Sequence, residues 1–152
     1  MAGSLLGHKG AISSLDFHPN EFLLASGSAD GSAKFWDLET LKVVSTTEID
    51  SRATPVVGTS FTPDGRALLV ATKEQLRVVG WEPRQVYDTV PCKFDDIMDI
   101  GVTTSSSHLI ACSTVPFKPA SFIVQGLDLK VFLLFFLPTL LLLVLLFMTC
   151  VF

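Results

Sequence analysis

Histidine, serine and aspartate are the residue types of nucleophilic hydrolysis, and His8, Ser26 and Asp30 stand close together at the start of this 152-residue chain. A serine hydrolase places its nucleophile on a strained turn, exposed beside backbone N–H groups that hold the oxyanion. The G-x-S-x-G elbow that builds such a turn does not occur around Ser26, which lies in Leu24-Ala25-Ser26-Gly27-Ser28. Carboxylates at Glu48, Asp50, Asp95, Asp96 and Asp99 are candidates for a cation, but they lack the spacing, the glycine and the terminal glutamate of an EF-hand, so a solvated loop is expected. The three cysteines, Cys92, Cys112 and Cys150, form neither C-x-x-C nor a Cys/His cluster, which argues against a disulfide framework or a zinc site and fits a reducing compartment. No G-x-x-x-x-G-K-[ST] loop is present, so the chain itself is not expected to be an ATPase. No enzyme activity, metal or cofactor is expected.

The elements that carry these residues are read from hydrophobic patterning. All 26 charged residues precede Val131, and the 22 residues from Val131 to Phe152 carry none. The remainder has the composition of a soluble globular segment. A net charge of −4 without a Lys/Arg block leaves no electrostatic footprint for nucleic acid, and none is expected as a partner. Met1 to Leu6 lacks a basic region followed by an apolar stretch, so no secretory signal peptide is expected.

From Ala11 to Gly80 the apolar residues come in short runs punctuated by Gly, Pro, Asn and Asp, the pattern of short strands and tight turns. Ile12 to Phe17, Phe22 to Ala25, Ala33 to Trp36 and Lys42 to Ser45 predict four strands. Asp30-Gly31 predicts a two-residue hairpin in which both positions accept positive φ. Phe61-Thr62-Pro63-Asp64-Gly65 follows Phe17-His18-Pro19-Asn20-Glu21 by 44 residues, a period that matches a propeller blade. Strands are expected again at Ala67 to Ala71, Leu76 to Val79 and Gln85 to Val90. A fainter third set is expected at Ile97 to Val102, Leu109 to Ser113 and Ser121 to Val124.

Gly7-His8 and Trp36-Asp37 bracket the first unit, with the small-residue strand and the Asp-Gly turn between them. That combination resembles the WD40 repeat. The resemblance implies that His8, Ser26, Asp30 and Trp36 form a buried hydrogen-bonded tetrad that is structural rather than catalytic. Counting 44 residues onward, these positions become Arg52, Val70, Glu74 and Gly80, with Trp81 displaced by one. The second unit is therefore expected to be degenerate, held by apolar packing of Phe61, Leu69, Leu76 and Trp81. The chain divides into a full repeat at 7–47, a degenerate one at 52–92, a weak third blade at 95–129 and an apolar tail at 131–152. The fold class is all-β: a partial WD40 β-propeller of two to three four-stranded blades, plus a C-terminal apolar helix.

The stretch GHKGAISSLDFHPNEFLLASGSADGSAKFWDLE, together with Leu76-Arg77-Val78-Val79-Gly80-Trp81-Glu82-Pro83, resembles the WD40 regulatory subunits of katanin, the microtubule-severing ATPase. The resemblance runs from Gly7 to about Asp88. It implies a non-catalytic scaffold in the cytoplasm and cytoskeleton, whose partners are the katanin ATPase subunit and microtubules. Nothing here resembles the helical C-terminal domain that binds the ATPase in that family. Scattered cations such as Lys9, Lys34 and Arg66 are ordinary surface residues by default, and no tubulin contact is assigned to any of them.

Two to three blades are fewer than the four to eight that close a propeller. The chain is therefore read as a fragment or a truncated product, with apolar faces left at its ends. As a helix, Val131 to Phe152 would span about 33 Å, enough for a bilayer core, bent at Pro138 and preceded by Lys130. The alternative reading is a tail-anchored membrane protein with a WD40-derived cytosolic head. Leu-, Phe- and Pro-rich composition also fits translation of a retained intron's polypyrimidine tract, a non-functional product.

Overall fold

The computed structural model describes residues 3–48, 54–91, 97–103, 109–113 and 121–125. They form three antiparallel sheets, and among the described residues there is no helix. The first sheet has the order β1 (Ile12–Phe17), β2 (Leu23–Ser28), β3 (Ser32–Asp37), β4 (Lys42–Glu48). The second repeats it with β5 (Val56–Phe61), β6 (Leu68–Thr72), β7 (Gln75–Trp81) and β8 (Arg84–Pro91). In the third, β10 (Leu109–Ser113) lies between β9 (Ile97–Val102) and β11 (Ser121–Gln125). The expected helix and membrane span at 131–152 lie outside the described residues, within which no helix is long and apolar enough to cross a membrane.

The strands recur in register as well as in number. Ser13 is an extra residue in β1, between the pairs Ile12↔Ser28 and Ser14↔Gly27. Val57 holds that position in β5, and Met98 holds it in β9. A bulge adds local twist, so repeating it at the head of each first strand gives the three sheets the same shape. Val44 in β4 and Tyr87 in β8 form a second matched pair of bulges, now 43 rather than 44 residues apart. The missing residue is in the hairpin. Ala29-Asp30-Gly31 joins β2 to β3, whereas Lys73-Glu74 alone joins β6 to β7.

That hairpin corrects two expectations. The first sheet's loop has three residues, and only Gly31 has positive φ, at 82°. Its N–H bonds the Ser28 carbonyl at 3.1 Å, closing a turn that ends in a left-handed glycine rather than a two-residue loop. Because the second loop is shorter, pairing places Val79 where Trp36 stands: Leu24 pairs with Trp36, and Leu68, 44 residues on, pairs with Val79. Counting along the chain had put Gly80 there.

Alternation across each strand gives every sheet two faces. The rear face of the first sheet, carrying Leu23, Ala25, Ala33 and Phe35, packs on the front face of the second, carrying Val56, Phe61, Leu68, Val70 and Val79, with Trp81 at the edge. The rear face of the second, with Leu69, Ala71, Leu76 and Val78, packs on Ile97, Ile100, Leu109 and Ala111 of the third. Apolar packing does replace the polar set in the second sheet, but through two separate layers. Phe61 and Trp81 belong to one, and Leu69 and Leu76 to the other. Every residue of β6 is buried, as expected of a strand covered on both faces.

Polar contacts from Ser14, Asp16 and His18 tie the first two sheets together. The Ser14 and Thr59 hydroxyls meet at 2.9 Å, and Asp16 Oδ2 accepts the Phe61 N–H at 2.7 Å. The third is made by His18, buried in the β1–β2 turn. Its Nδ1 faces the N–H groups of Asn20 and Glu21 at 3.2 and 3.0 Å, so Nδ1 accepts and Nε2 carries the proton, donated to the Gly65 carbonyl at 2.8 Å. The ring stands edge-on to Phe61 and Trp81, with centroids 5.0 and 5.9 Å away. In the matching turn of the second sheet Thr62 bonds only within its own loop, to Asp64 and Ala67.

Gly65 has φ of 74°, and a Cβ added there would run into the His18 ring. Gly65→Ala therefore costs a left-handed backbone penalty of about 1–2 kcal/mol and also displaces His18. His18→Ala, which removes the ring and its bonds, is expected to cost about 1–3 kcal/mol. In a denaturation double-mutant cycle the glycine substitution should be markedly cheaper when His18 is already alanine. Additive losses would show that the ring does not sense the turn.

Candidate functional site

His8, Ser26, Asp30 and Trp36 are brought together on the front face of the first sheet. β2 and β3 present Ser26 and Trp36 on that face, the β2–β3 turn supplies Asp30, and the segment before β1 lays His8 over them. The Trp36 indole can only donate, and its Nε1–H reaches Ser26 Oγ at 2.8 Å. Ser26 Oγ is 2.7 Å from His8 Nε2, and His8 Nδ1 is 3.0 Å from Asp30 Oδ2. An ionised carboxylate only accepts, so the His8 proton bonded to Asp30 is on Nδ1. In the neutral ring Nε2 then accepts a hydrogen bond from the Ser26 O–H, and donation runs from Trp36 through Ser26 and His8 to Asp30.

Asp30 gathers more than the histidine. Its Oδ2 also accepts the Lys9 N–H at 2.8 Å, and its Oδ1 accepts the Ser32 N–H and hydroxyl at 2.9 and 2.6 Å. Burial opposes the charge, but the Ser32 hydroxyl, the Lys9 and Ser32 N–H groups and the His8 ring outweigh it, holding this carboxyl well below the usual carboxylate range. Ser32 was not foreseen, although a hydroxyl two residues beyond a turn aspartate is a common partner for it. Asp37 is lowered too, by the Thr40 hydroxyl and the Glu39 and Thr40 N–H groups, in an exposed turn.

The relative order of serine, histidine and aspartate matches that of a hydrolase, but the serine is already committed. Ser26 is 2% exposed. Its oxygen holds the Trp36 N–H, and it sits mid-sheet, paired with Leu15 on one side and Lys34 on the other. Neighbouring N–H groups are engaged in the ladder, so no oxyanion donors face it. A cavity of about 270 Å3 opens beside it, lined mainly by Leu5, Leu6, Ile12, Leu15, Leu24 and Trp36. Such a lining suits apolar surface rather than a polar transition state.

The positions matched to the tetrad in the second sheet hold no such chain. Val70 and Val79 lie buried against the first sheet, Glu74 is in the short loop, and Arg52 lies outside the described residues. Among the described residues no group of three His, Cys, Asp or Glu is placed to hold a metal. Asp50, Asp95 and Asp96 lie outside them. Sequence reasoning also missed His18, Ser14 and Asp16. Their signal was that His18 and Asp16 are polar residues flanking a strand end in the first repeat.

Residues 2–37 match the family described as WD domain, G-beta repeat. The chain thus contains a WD40 repeat within an all-β WD40 fold. The WD40 domain of Toxoplasma gondii coronin superposes with a TM-score of 0.62 at 18% identity, over 80% of this chain and 36% of that one. The RRP9 WD40 repeats give 0.61 at 19% identity, over 71% and 34%. Among curated relatives, eukaryotic translation initiation factor 3 subunit I of Aspergillus oryzae is 37% identical over 78 residues, 51% of this chain and 22% of that protein. Its Aspergillus terreus counterpart is 38% identical over the same length. The chain spans about a fifth of the length of these relatives. They carry the name of a translation initiation subunit rather than of katanin, so the katanin assignment rests on the sequence resemblance alone.

Asp30→Ala leaves the His8 ring and two backbone N–H groups short of an acceptor and is expected to cost about 1–3 kcal/mol, whereas Glu74→Ala should cost little. The lowered carboxyl adds a pH signature. Its contribution is complete above the unfolded-state value near 3.9 and is lost as pH falls below about 4 toward the folded value. Urea melts from pH 7 down to pH 3 should therefore show a constant gap between wild type and Asp30→Ala that narrows only at the acid end.

Proposed function

We propose that this chain acts as a non-catalytic scaffold that binds other proteins through its surfaces, in the manner of a katanin regulatory subunit. The observation that carries the first part is the commitment of Ser26. Its hydroxyl is held between Trp36 and His8, so the residues that look like a catalytic set are spent on folding. Supporting the second part are the residues from Gly7 to Glu39 and the Leu-Arg-Val-Val-Gly-Trp-Glu-Pro strand at 76–83. On this reading the partners are microtubules and the severing ATPase, and the protein resides in the cytoplasm at the cytoskeleton. Direct microtubule contact is the half that a purified chain tests by itself.

A second reading is favoured by the relatives named as translation initiation factor 3 subunit I, which match at 37–38% identity over 78 residues. It makes the chain a scaffold within an initiation complex. A membrane-anchored form of either scaffold depends on the tail at 131–152.

Cosedimentation of the full chain with polymerised microtubules, in parallel with capture by purified initiation factor 3, separates the two. Microtubule binding that weakens with added salt and with removal of the acidic tubulin tails is expected. Capture by the initiation factor with no microtubule pelleting would overturn the katanin-like reading. Carbonate extraction of cells making the full chain and a chain ending at Lys130 should release the shorter form alone if the tail anchors it.

A further inference from the structure

One end of the first sheet carries apolar side chains that its own folding does not call for. Phe22 closes the turn between β1 and β2 and is 75% exposed; Leu41 closes the turn between β3 and β4 and is 42% exposed, with Gly3 close beside its Cδ1. Leu41 has φ of 57°, a left-handed conformation that glycine adopts freely and leucine only against its own Cβ. Among the described residues no other non-glycine residue has positive φ. The two positions are related by pairing: Asp37 pairs with Leu23 on one side and Lys42 on the other, so Phe22 and Leu41 each stand one residue outside the same cross-strand row. Two strand spacings separate them, about 10 Å. The Phe22 carbonyl accepts the Leu38 N–H at 2.9 Å, which fastens one turn to the other.

Their exposure does not come from the uncovered front of the first sheet. In the second sheet, which is packed on both faces, the position matched to Phe22 is Arg66, and the pairs Trp36↔Val43 and Val79↔Val86 align Leu41 with Arg84. Both arginines are exposed. These positions therefore face solvent in a covered sheet too, and charged residues serve there. An exposed phenylalanine beside an exposed leucine on strained backbone is the kind of departure that marks an interaction surface. Carboxylates border the pair, with Glu21 just before Phe22 and Glu39 just before Thr40-Leu41, both exposed. Asp37 lies between them but is engaged by the Thr40 hydroxyl and the Glu39 and Thr40 N–H groups, and Lys42 is the opposing cation.

We propose that this end of the first sheet docks a basic amphipathic helix of a partner protein. Residues i and i+7 share one face of a helix and stand about 10.5 Å apart, which matches the spacing of Phe22 and Leu41. An extended strand fits less well, because its same-face residues are about 7 or 13 Å apart. Lysines or arginines flanking the apolar stripe of such a helix would meet Glu21 and Glu39. The inference rests on the scaffold reading and gives its partner a chemistry.

Fluorescence anisotropy with the full chain tests it. The probe is a labelled helical peptide of alanine and lysine with leucines at i and i+7; one control has the same composition with its leucines on opposite faces, and the other has glutamate in place of lysine. Saturable binding of the probe is expected, with both controls weaker by about tenfold or more. Phe22→Arg, which copies the second sheet, and Leu41→Gly, which suits the left-handed backbone, should each weaken the probe by about tenfold. Leu41→Gly should do so without lowering the melting temperature. Glu21→Lys combined with Glu39→Lys should turn the preference toward the glutamate peptide, and Val86→Asp, an exposed change on the second sheet, should leave binding as it is. Equal binding of the three peptides, or binding that neither Phe22→Arg nor Leu41→Gly reduces, would overturn the proposal, as would the absence of saturable binding up to about 1 mM. Neither microtubules nor initiation factor is present in this assay, so its failure is distinct from a failure of the scaffold reading.

Discussion

A sheet that is apolar on both faces cannot stand alone in water, and every other feature of this chain follows from how each face is covered. Burial of a Val, Leu or Phe side chain contributes on the order of 1.5–3 kcal/mol only if something excludes water from it. The second sheet meets that condition on both sides, which is why β6 can be Leu-Leu-Val-Ala-Thr without a single exposed residue. Its neighbours meet it on one side by the same means. Repeat proteins are stable as sums of such nearest-neighbour interfaces, so the central sheet is the one whose stability the described contacts explain most fully.

The polar set belongs to the same logic. On the front face of the first sheet, Ser26 and Trp36 bring polar atoms into buried positions, and each must find a partner. A chain that begins at an obligatory donor, the indole, and ends at an obligatory acceptor, the carboxylate, satisfies every link between them without ambiguity. In the second sheet Val70 and Val79 present nothing that needs a partner, so the shorter hairpin and the loss of an aspartate there carry no penalty. The two faces solve one problem by opposite means. The three-residue turn aims the Asp30 carboxylate back over Ser26 and Trp36, whereas the carboxylate of the two-residue turn, Glu74, belongs to a sheet whose matched positions are Val70 and Val79.

Much of the architecture was legible because strands announce themselves through alternation and turns through Gly, Pro and Asp. Phe61-Thr62-Pro63-Asp64-Gly65 standing one period after Phe17-His18-Pro19-Asn20-Glu21 exposed the repeat, and the Gly-His and Trp-Asp pairs pointed to the four side chains that come together. What was not legible depended on a single residue of loop length. The deletion between β6 and β7 moves Trp36's counterpart from Gly80 to Val79, and no pattern of hydrophobicity distinguishes those adjacent positions. The roles of Ser14, Asp16 and His18 were hidden for another reason. Their partners, Thr59, the Phe61 N–H and the Gly65 carbonyl, lie 45 to 47 residues away, and two of the three are backbone groups that leave no mark on sequence.

These contacts between sheets also explain why the second unit can lose its own polar set and keep its place. Asp16 and His18 come from the first sheet, and they grip the second by its backbone, at Phe61 and Gly65. A backbone acceptor survives a side-chain change at its position, and a backbone donor survives any change except to proline, so the contacts tolerate drift in the sheet that receives them. What they do not tolerate is a change in backbone conformation, and Gly65, left-handed and pressed against the His18 ring, is where that requirement becomes a demand for one residue type. The intact repeat thus acts on the degenerate one as a template. The Ser14, Asp16 and His18 contacts and the apolar layer hold the turn and first strand of the second sheet against the first, and the hydrogen-bonded chain lies inside the sheet from which those contacts reach out.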